Sequence, residues 1–303
     1  MNNRLALAAL SQLSGPSCGV FAGRDAVAAK VSRDQLGTFV AHGVAERVHR
    51  DVYRLTAVAP SHEQAVRAAL LWAGDGSWAD ARSAGAVYGI ELREPTTPEI
   101  VVLAGGKFRV SGVAVRRVDA RAALMPREVR GIRVIGPEAM ILSLARLLDD
   151  EALEVACEDA RRKRLTSVPG LRSYLEKFGR NRPGAARVRA LVDELDPVHP
   201  ARSTLEVKTR RLLVAHGITD FVREFPLAWN GRTYRYDFGF PSRRVVLETN
   251  GRRWHDDAAD YEDDNEKWSV PGRLDYRIVF ATWTKVTRDQ RALLADLTAT
   301  LAA

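Results

Sequence analysis

The chain has 303 residues and a formal net charge of +8, with a sequence pI of about 9.8. This length suits roughly two or three domains with separate cores. No apolar run reaches the roughly 18 to 20 residues that span a bilayer, and the N-terminus lacks a signal pattern. We therefore predict a cytoplasmic protein with no membrane partner.

The excess of basic residues favours nucleic acid as the partner. Arg far outnumbers Lys among the 46 basic residues, and guanidinium groups fork onto phosphates and stack on bases. GC-rich coding also produces an excess of Arg, so charge alone leaves this prediction open.

The two cysteines argue against both a zinc site and a disulfide framework. Cys18 and Cys157 lie far apart in the sequence, and no CxxC pair is present. Such isolated cysteines are typical of reduced, structural thiols.

The pattern of residues 1–57 predicts a winged-helix domain. A short leucine-rich helix comes first, and two further helices are expected at 24–31 and 33–42. A β-hairpin follows at 44–55. Two helices joined by a short turn and followed by a hairpin wing are typical of DNA-binding domains.

Four residues of this domain are candidate DNA contacts. The start of a recognition helix reaches base edges, which selects Arg33 and Gln35. The hairpin would lie along the phosphate backbone, which selects Arg47 and Arg50. The alternative is a small helical domain that binds protein or braces the next domain.

Residues 58–196 predict a mixed α/β middle domain. Helices are expected at 62–74 and 77–89, strands at 100–104, 113–118 and 131–135, and further helices at 138–148, 151–162, 170–178 and 185–195. Asp80, Arg82 and Ser83 fall on the second of these helices, where we expect a polar pair on the surface.

Three motifs in the first half of the chain carry a family resemblance. HRDVYRL, ADARSAGAVYGIEL and CEDARRKRLTS follow one another in this order. Their order resembles that of the abortive-infection (AbiEi-type) antitoxins and related actinobacterial proteins. The resemblance implies DNA binding and autorepression of an operon, and it implies no catalysis.

Residues 201–303 predict a further domain with acidic residues at strand ends. The predicted elements are a helix at 204–215, strands at 222–228, 234–240 and 245–248, a helix at 256–268, a strand at 276–281 and a helix at 287–301. Asp237 and Glu248 fall side by side on paired strands. A buried carboxylate needs a compensating cation or donor, and hard divalent ions accept such ligands. Alternatively, both residues face solvent on an ordinary hairpin.

Four segments of this domain carry a second resemblance, STLEVKTRRLLVAHG, YRYDFGFP, RVVLETNGRRWH and DYRIVFATW. They resemble the restriction-endonuclease-like core, PD-(D/E)XK, and the small endonuclease domains of the very-short-patch repair family. The whole chain is then expected to be a multidomain α+β protein. It would comprise a winged helix, a mixed α/β middle domain and a C-terminal α/β/α nuclease core.

The second resemblance implies a magnesium site, with manganese as a possible substitute. By resemblance, Asp237 and Glu248 bind the metal, and Thr249 offers its backbone carbonyl. Glu206 would face the metal and its waters. His255 matches the histidine beside the attacking water, a role that its near-neutral pKa permits.

The sequence also departs from that family. Asn250 stands where the ExK motif has Lys, so it can hold a water but cannot donate charge. Arg253 and Trp254 occupy the position of an aromatic wedge, which leaves only Trp254 as a base-stacking residue. The domain contains no Cys, so no structural zinc is predicted.

The sequence thus predicts a metal-dependent DNA endonuclease of a repair or defence type. The main alternative is a non-catalytic DNA-binding regulator, similar to an antitoxin, with a degenerate nuclease domain. A nuclease acting on RNA is a weaker third hypothesis.

Overall fold

The computed structural model describes residues 2–104, 111–195, 201, 203–250 and 258–303, with only the backbone described at 258–264. Within these residues the chain is an α+β protein with thirteen α-helices and three β-sheets. It divides into two compact units, Met1–Pro197 and Val198–Ala303. None of the helices in this part of the chain has the length and apolar character needed to cross a membrane.

The first unit begins with three helices and a three-stranded antiparallel sheet in the order β1-β3-β2. The elements are α1 (Asn3–Ser14), β1 (Val20–Ala22), α2 (Gly23–Ala28), α3 (Arg33–Ala41), β2 (Ala45–His49) and β3 (Val52–Leu55). Leu10, Phe21, Leu36 and Phe39 pack at the centre of this region. The helices and the hairpin lie close to their predicted positions, although α2 ends three residues before the prediction.

The start of α3 is fixed by a capping box. The Ser32 hydroxyl accepts a hydrogen bond from the Gln35 backbone N–H at 3.2 Å, and Gln35 Oε1 accepts one from the Ser32 N–H at 3.0 Å. These reciprocal bonds satisfy two donors that the first turn of a helix leaves without partners. Ser32 is therefore the N-cap of α3.

The rest of the first unit is built on a mixed five-stranded sheet in the order β6-β5-β4-β8-β7. Its elements are α4 (His62–Ala73), β4 (Ser77–Ala79), α5 (Ala81–Tyr88), β5 (Glu99–Leu103), β6 (Ala114–Val118), β7 (Arg127–Val129), β8 (Ile132–Val134), α6 (Pro137–Leu144), α7 (Asp150–Arg162), α8 (Val168–Phe178) and α9 (Ala185–Glu194). The predicted helix at 77–89 was wrong in its first part, since Ser77–Ala79 is the central strand. Pairing with β5 and β8 there overrides the local helical pattern.

Asp80 forms a buried ionic contact rather than a surface pair. Asp80 is only 3% exposed. Arg116 donates two hydrogen bonds to its carboxylate, through Nε at 2.5 Å and through Nη2 at 2.9 Å. The Ser143 hydroxyl donates to the same carboxylate at 2.8 Å, while Arg82 pairs with Glu99. The predicted surface pair was wrong, because Asp80 precedes α5 at the inner end of β4.

The second unit contains a four-stranded sheet in the order β12-β11-β10-β9. Its elements are α10 (Thr204–Ala215), β9 (Val222–Trp229), β10 (Arg232–Phe240), β11 (Val245–Asn250), α11 (Ala258–Arg273), β12 (Arg277–Thr282), α12 (Trp283–Thr287) and α13 (Gln290–Ala302). Strands β9, β10 and β11 form an antiparallel meander, and β12 lies parallel to β11. The predicted element order is confirmed, except that α11 continues beyond its predicted end and α12 was not predicted.

Two apolar clusters hold this second sheet between helices. Phe238, Phe240 and Leu247 pack with residues of α10 and α13. Tyr236 and Val246 pack with Val270, which lies on α11. The helices therefore supply separate cores to the sheet, as expected when a sheet is covered by helices.

Gly239 tests how closely β9 and β10 pack. A Cβ atom added at Gly239 would lie 2.1 Å from Cγ of Phe225. Overpacking of this kind destabilises a core by about 1–3 kcal/mol. We expect Gly239→Ala to lower the midpoint of thermal unfolding of this unit, measured by tryptophan fluorescence.

Gly272→Ala is the matched control for this substitution. An added Cβ at Gly272, on α11, meets no atom within 4 Å, and Ala is favoured over Gly within helices. The control should unfold at the wild-type temperature or above. Equal midpoints for Gly239→Ala and the wild type would contradict the close packing.

Candidate metal centre

The candidate site lies where β10 and β11 diverge. Pairing between the two strands covers Phe238 to Phe240 and stops at Asp237. Beyond that point β10 continues with β9, and β11 continues with β12 as far as Asn250. The divergence leaves backbone N–H groups without a partner strand, and each such group needs another acceptor.

Side-chain carboxylates accept these backbone hydrogen bonds. Asp237 Oδ2 accepts from the Thr249 N–H at 2.7 Å and from the Thr249 hydroxyl at 2.5 Å. The Asp237 N–H in turn donates to Glu248 Oε2 at 3.3 Å. These bonds hold the two carboxylates in place at the point of divergence, and hydrogen bonds to charged acceptors are stronger than neutral ones.

Glu224 brings a third acidic side chain to this position from β9. The paired residues on each side, Phe225 with Tyr236 and Arg223 with Phe238, place Glu224 opposite Asp237. Glu224 is 5% exposed and has a φ of 50°, in the left-handed region. A non-glycine residue held there costs about 1–3 kcal/mol, and such strain clusters at functional sites.

Glu206 reaches the same place from the first turn of α10. The Ser203 hydroxyl accepts from the Glu206 N–H at 3.1 Å and so fixes the start of the helix. The Glu206 carboxylate is 1% exposed and accepts a hydrogen bond from Arg223 Nη2 at 3.1 Å. This charged pair lies inside the unit, where its interaction is screened less than on the surface.

The three carboxylates form a compact group able to hold a metal ion. Each of Glu206, Glu224 and Asp237 offers one oxygen, and these oxygens all lie within 4.8 Å of one another. Three buried carboxylates at this spacing repel one another, and a cation among them relieves that repulsion. Hard divalent cations prefer such oxygen ligands.

Glu248 stands beside this group but pairs with a lysine from α11. Lys267 Nζ donates to Glu248 Oε1, and the Lys267 backbone carbonyl accepts a 2.5 Å hydrogen bond from the Tyr236 hydroxyl. Burial and the nearby Asp237 carboxylate raise the pKa of Glu248 to about 7, while Lys267 opposes the rise. Glu248 therefore titrates near neutral pH, where a carboxylate can accept a proton from water.

The predicted site residues fall into distinct places. Asp237 and Glu206 belong to the carboxylate group, and Glu248 and Thr249 lie next to it through Asp237. Asn250 is exposed at the end of β11. Arg253, Trp254 and His255 lie outside the residues that the structure describes.

The sequence alone did not mark Glu224 and Lys267 as members of the site. Glu224 lies within a predicted strand, and only the strand register places it opposite Asp237. Lys267 lies 19 residues after Glu248, on a helix whose charged residues resemble a solvated face. An acidic residue in a strand that is apolar apart from Arg223 and Glu224 was the available signal for Glu224. No motif spacing marked Lys267.

The predicted DNA contacts of the first unit differ in the exposure of their side chains and in the hydrogen bonds that these side chains make. Arg33, Arg47 and Arg50 are exposed at the start of α3 and on the hairpin. Gln35 is partly buried, and its Oε1 is engaged in the capping box. If Gln35 also contacts a base, its amide group must cap the helix and bind DNA at the same time.

Fold and site together define an α+β protein with a buried carboxylate group able to hold a metal ion. No protein-family model and no curated protein matches the chain. A solved structure similar to it is the crystal structure of the RV2827C protein from Mycobacterium tuberculosis, with a TM-score of 0.46 and 18% sequence identity. The match covers 67% of this chain and 80% of that one.

The raised pKa of Glu248 predicts a pH-dependent stability at this site. The pKa of Glu248 is about 7 in the folded state against an ordinary value of 4.5, so the folded state retains a proton that the unfolded chain has lost. This stabilisation is complete below about pH 4.5 and is lost as the pH rises through about 7, by on the order of 3 kcal/mol. Hydrogen exchange of peptides covering 232–250 should therefore speed up, after correction for the intrinsic rate, between about pH 5 and pH 8.

Glu248→Gln should remove most of this pH dependence, because a glutamine side chain cannot ionise. Glu266→Gln, a change of the same kind at an exposed residue of the same helix as Lys267, should leave it intact. The same pH dependence in all three proteins would contradict the assignment to Glu248.

Proposed function

We propose that residues 201–303 form a restriction-endonuclease-like domain that hydrolyses phosphodiester bonds in DNA with magnesium, or manganese in its place. The observation that carries this proposal is the buried group of Glu206, Glu224 and Asp237, whose oxygens lie within 4.8 Å of one another. Catalytic metal sites acting on phosphates are built from carboxylates of this kind.

The donor set fits magnesium better than zinc or copper. All three side chains are hard carboxylate donors, and no Cys or His belongs to the group found among the described residues. Magnesium bound there would stabilise negative charge on the oxygens of the scissile phosphate. The left-handed backbone of Glu224 also supports a functional role, because such strain clusters at functional sites.

The order of elements also supports the nuclease hypothesis. Helix α10, the meander β9-β10-β11, helix α11, strand β12 and helix α13 follow the order that the resemblance to very-short-patch endonucleases implies. In that order, Asp237 occupies the central acidic position of the motif. Glu206 on the first helix lies beside it, as the resemblance also implies.

Lys267 supplies the charge that the sequence motif lacks at Asn250. Its ammonium group reaches the Glu248 carboxylate from α11 rather than from β11. A lysine at this position can stabilise the negative charge that develops on a phosphate during hydrolysis. Glu248, whose pKa of about 7 leaves it partly protonated at neutral pH, would accept the proton of the attacking water. His255 remains a second candidate for that role.

We expect Asp237→Asn to abolish cleavage of plasmid DNA in magnesium. The substitution removes the charge of a carboxylate in the group while keeping its shape, so both metal affinity and turnover should fall. We expect a rate loss of at least about 100-fold, which corresponds to roughly 2.7 kcal/mol of barrier. Gel electrophoresis of nicked and linear products measures the rate.

Asp275→Asn is the matched control, since Asp275 is an exposed residue of the same unit that pairs only at the surface with Arg244. It should cleave as the wild type does. Cleavage by Asp237→Asn at the wild-type rate would indicate a contaminating nuclease or a wrong site. Cleavage of RNA with intact duplex DNA would favour the RNA nuclease instead.

The Lys267→Gln substitution distinguishes an active nuclease site from a degenerate nuclease domain that no longer cleaves. If the lysine acts on the developing charge, its loss should lower the rate while manganese still stabilises the folded protein against heat. Manganese binding without cleavage in the wild type would instead favour the regulator.

A DNA-binding regulator is the second candidate function, favoured by the region at the start of the chain. The order α1, β1, α2, α3 and the β2-β3 hairpin is the order expected of a winged helix. Arg33 is exposed at the first turn of α3, and Arg47 and Arg50 are exposed at the hairpin. These positions suit a helix in the major groove and a wing on the phosphate backbone.

We expect Arg47→Gln/Arg50→Gln to weaken DNA binding and its dependence on salt. Each lost phosphate contact lowers the slope of log affinity against log salt by about 1, so the double variant should lose about 2. Arg93→Gln/Arg291→Gln removes the same charge at two exposed arginines elsewhere and should keep the wild-type slope. Fluorescence anisotropy of labelled duplex DNA measures both slopes, and equal slopes for the two double variants would contradict the wing assignment.

A further inference from the structure

A cavity of about 220 Å³ opens within the first unit, apart from the residues discussed above as a nuclease site. Strand β6 supplies Arg116 and Arg117 to its wall, and α6 supplies Leu142 and Ser143. Tyr174 of α8 closes another side. The cavity therefore lies between a sheet edge and two helices.

The charge of this cavity is strongly positive. Four arginines line it, namely Arg116, Arg117, Arg146 and Arg182, and no acidic residue is among its lining residues. The Asp80 carboxylate, which accepts hydrogen bonds from Nε and Nη2 of Arg116, neutralises the charge of that arginine. Neither Arg146 nor Arg182 makes an ion pair with a carboxylate in the described part of the chain. Arg146 and Arg182 therefore leave positive charge at the cavity that an anion can neutralise.

The interior of the cavity is apolar, with its polar groups already bonded. Leu124 and Leu142 are both buried. The Tyr174 hydroxyl donates to the Ala123 carbonyl at 2.8 Å, and the Ser143 hydroxyl donates to Asp80 at 2.8 Å. Arg146 and Arg182 are thus the charged groups on which a ligand can be bound, and the apolar wall can take an uncharged part of it.

Arg116 has a guanidinium group whose orientation is already fixed for binding an anion in the cavity. Its Nε and Nη2 are fixed on Asp80, and this anchoring sets the plane of the guanidinium group at the cavity wall. A guanidinium group oriented in advance loses less entropy when it binds an anion. Ser143, bonded to the same carboxylate, fixes Asp80 in turn.

We propose that this cavity binds the phosphate group of a phosphate monoester. A phosphate monoester carries about −1.5 to −2 charges at neutral pH and three acceptor oxygens, which several guanidinium forks can share. A carboxylate offers two oxygens and one charge, whereas Arg146 and Arg182 together carry two positive charges. The volume is below the roughly 300–1,000 Å³ of drug-sized pockets, so the phosphate and a small attached fragment enter.

This site does not depend on the proposed nuclease activity. Its residues all belong to the first unit, and the carboxylate group belongs to the second. Phosphate binding can therefore be measured in the full chain with EDTA present, so that a metal-bridged phosphate at the carboxylates makes no contribution. A failed nuclease assay leaves the test of this cavity unaffected.

Isothermal titration at low salt tests the proposal with inorganic phosphate, adenosine 5′-monophosphate and adenosine. We expect the two phosphates to bind and uncharged adenosine not to bind. Arg146→Gln/Arg182→Gln should weaken phosphate binding by at least about tenfold. Arg146→Lys/Arg182→Lys keeps the charge but loses the planar fork, so its affinity should fall between the two.

The matched control is Arg93→Gln/Arg291→Gln, which removes the same charge from arginines that do not line the cavity. It should bind within about twofold of the wild type, because screened surface charges contribute little. Absence of binding by both phosphates at millimolar concentration would overturn the proposal. Equal affinity for the wild type and the Arg146→Gln/Arg182→Gln protein, with both folded by circular dichroism, would also overturn it.

Two sources can supply this chemistry, a free small phosphate ester or the terminal phosphate of a nucleic acid strand. A 5′-phosphorylated single-stranded oligonucleotide is compared with its 5′-hydroxyl counterpart, again in EDTA. Preference for the phosphorylated strand that Arg146→Gln/Arg182→Gln removes identifies a strand end as the ligand. Equal affinity for the two strands, with adenosine 5′-monophosphate bound, identifies a free phosphate ester.

Discussion

The second unit depends on the divergence of β10 and β11 at Asp237 and Glu248. Where the two strands part, their backbone N–H groups lose strand partners, and carboxylates accept the hydrogen bonds instead. These hydrogen bonds also fix the side chains of Asp237 and Glu248, since each carboxylate accepts from a backbone N–H of the neighbouring strand. Acidic residues here are therefore part of the sheet's hydrogen bonding as well as a candidate metal site.

Buried acids elsewhere in the protein follow the same principle of compensation. Asp80 is neutralised by Arg116 in the first unit, Glu206 accepts from Arg223, and Glu248 from Lys267. Removing one partner of such a pair strands a buried charge, which is far more costly than losing a surface contact. The three pairs have different consequences. The first anchors the wall of an arginine-lined cavity, the second includes Glu206 of the carboxylate group, and the third lies beside that group.

Much of the secondary structure could be predicted from the sequence. Helices ended by Gly, the Ser32 and Ser203 caps, and the order of strands in residues 201–303 depend on local chemistry, which the sequence displays directly. The strand at Ser77–Ala79 could not be predicted, because its short apolar run becomes a strand only by pairing with β5 and β8. Asp80 was misplaced on the surface for the same reason.

The sequence by itself determined the element order of the second unit, because strand alternation and helix caps are local properties. The roles proposed for Asp237 and Glu206 come from the family resemblance that its motifs carry. Only the tertiary structure decided that Glu224 completes the carboxylate group and that Lys267 reaches Glu248. Both contacts join residues from different strands or helices, so they depend on strand register and helix packing. The arginine-lined cavity likewise exists only because β6, α6 and α8 meet in the folded chain.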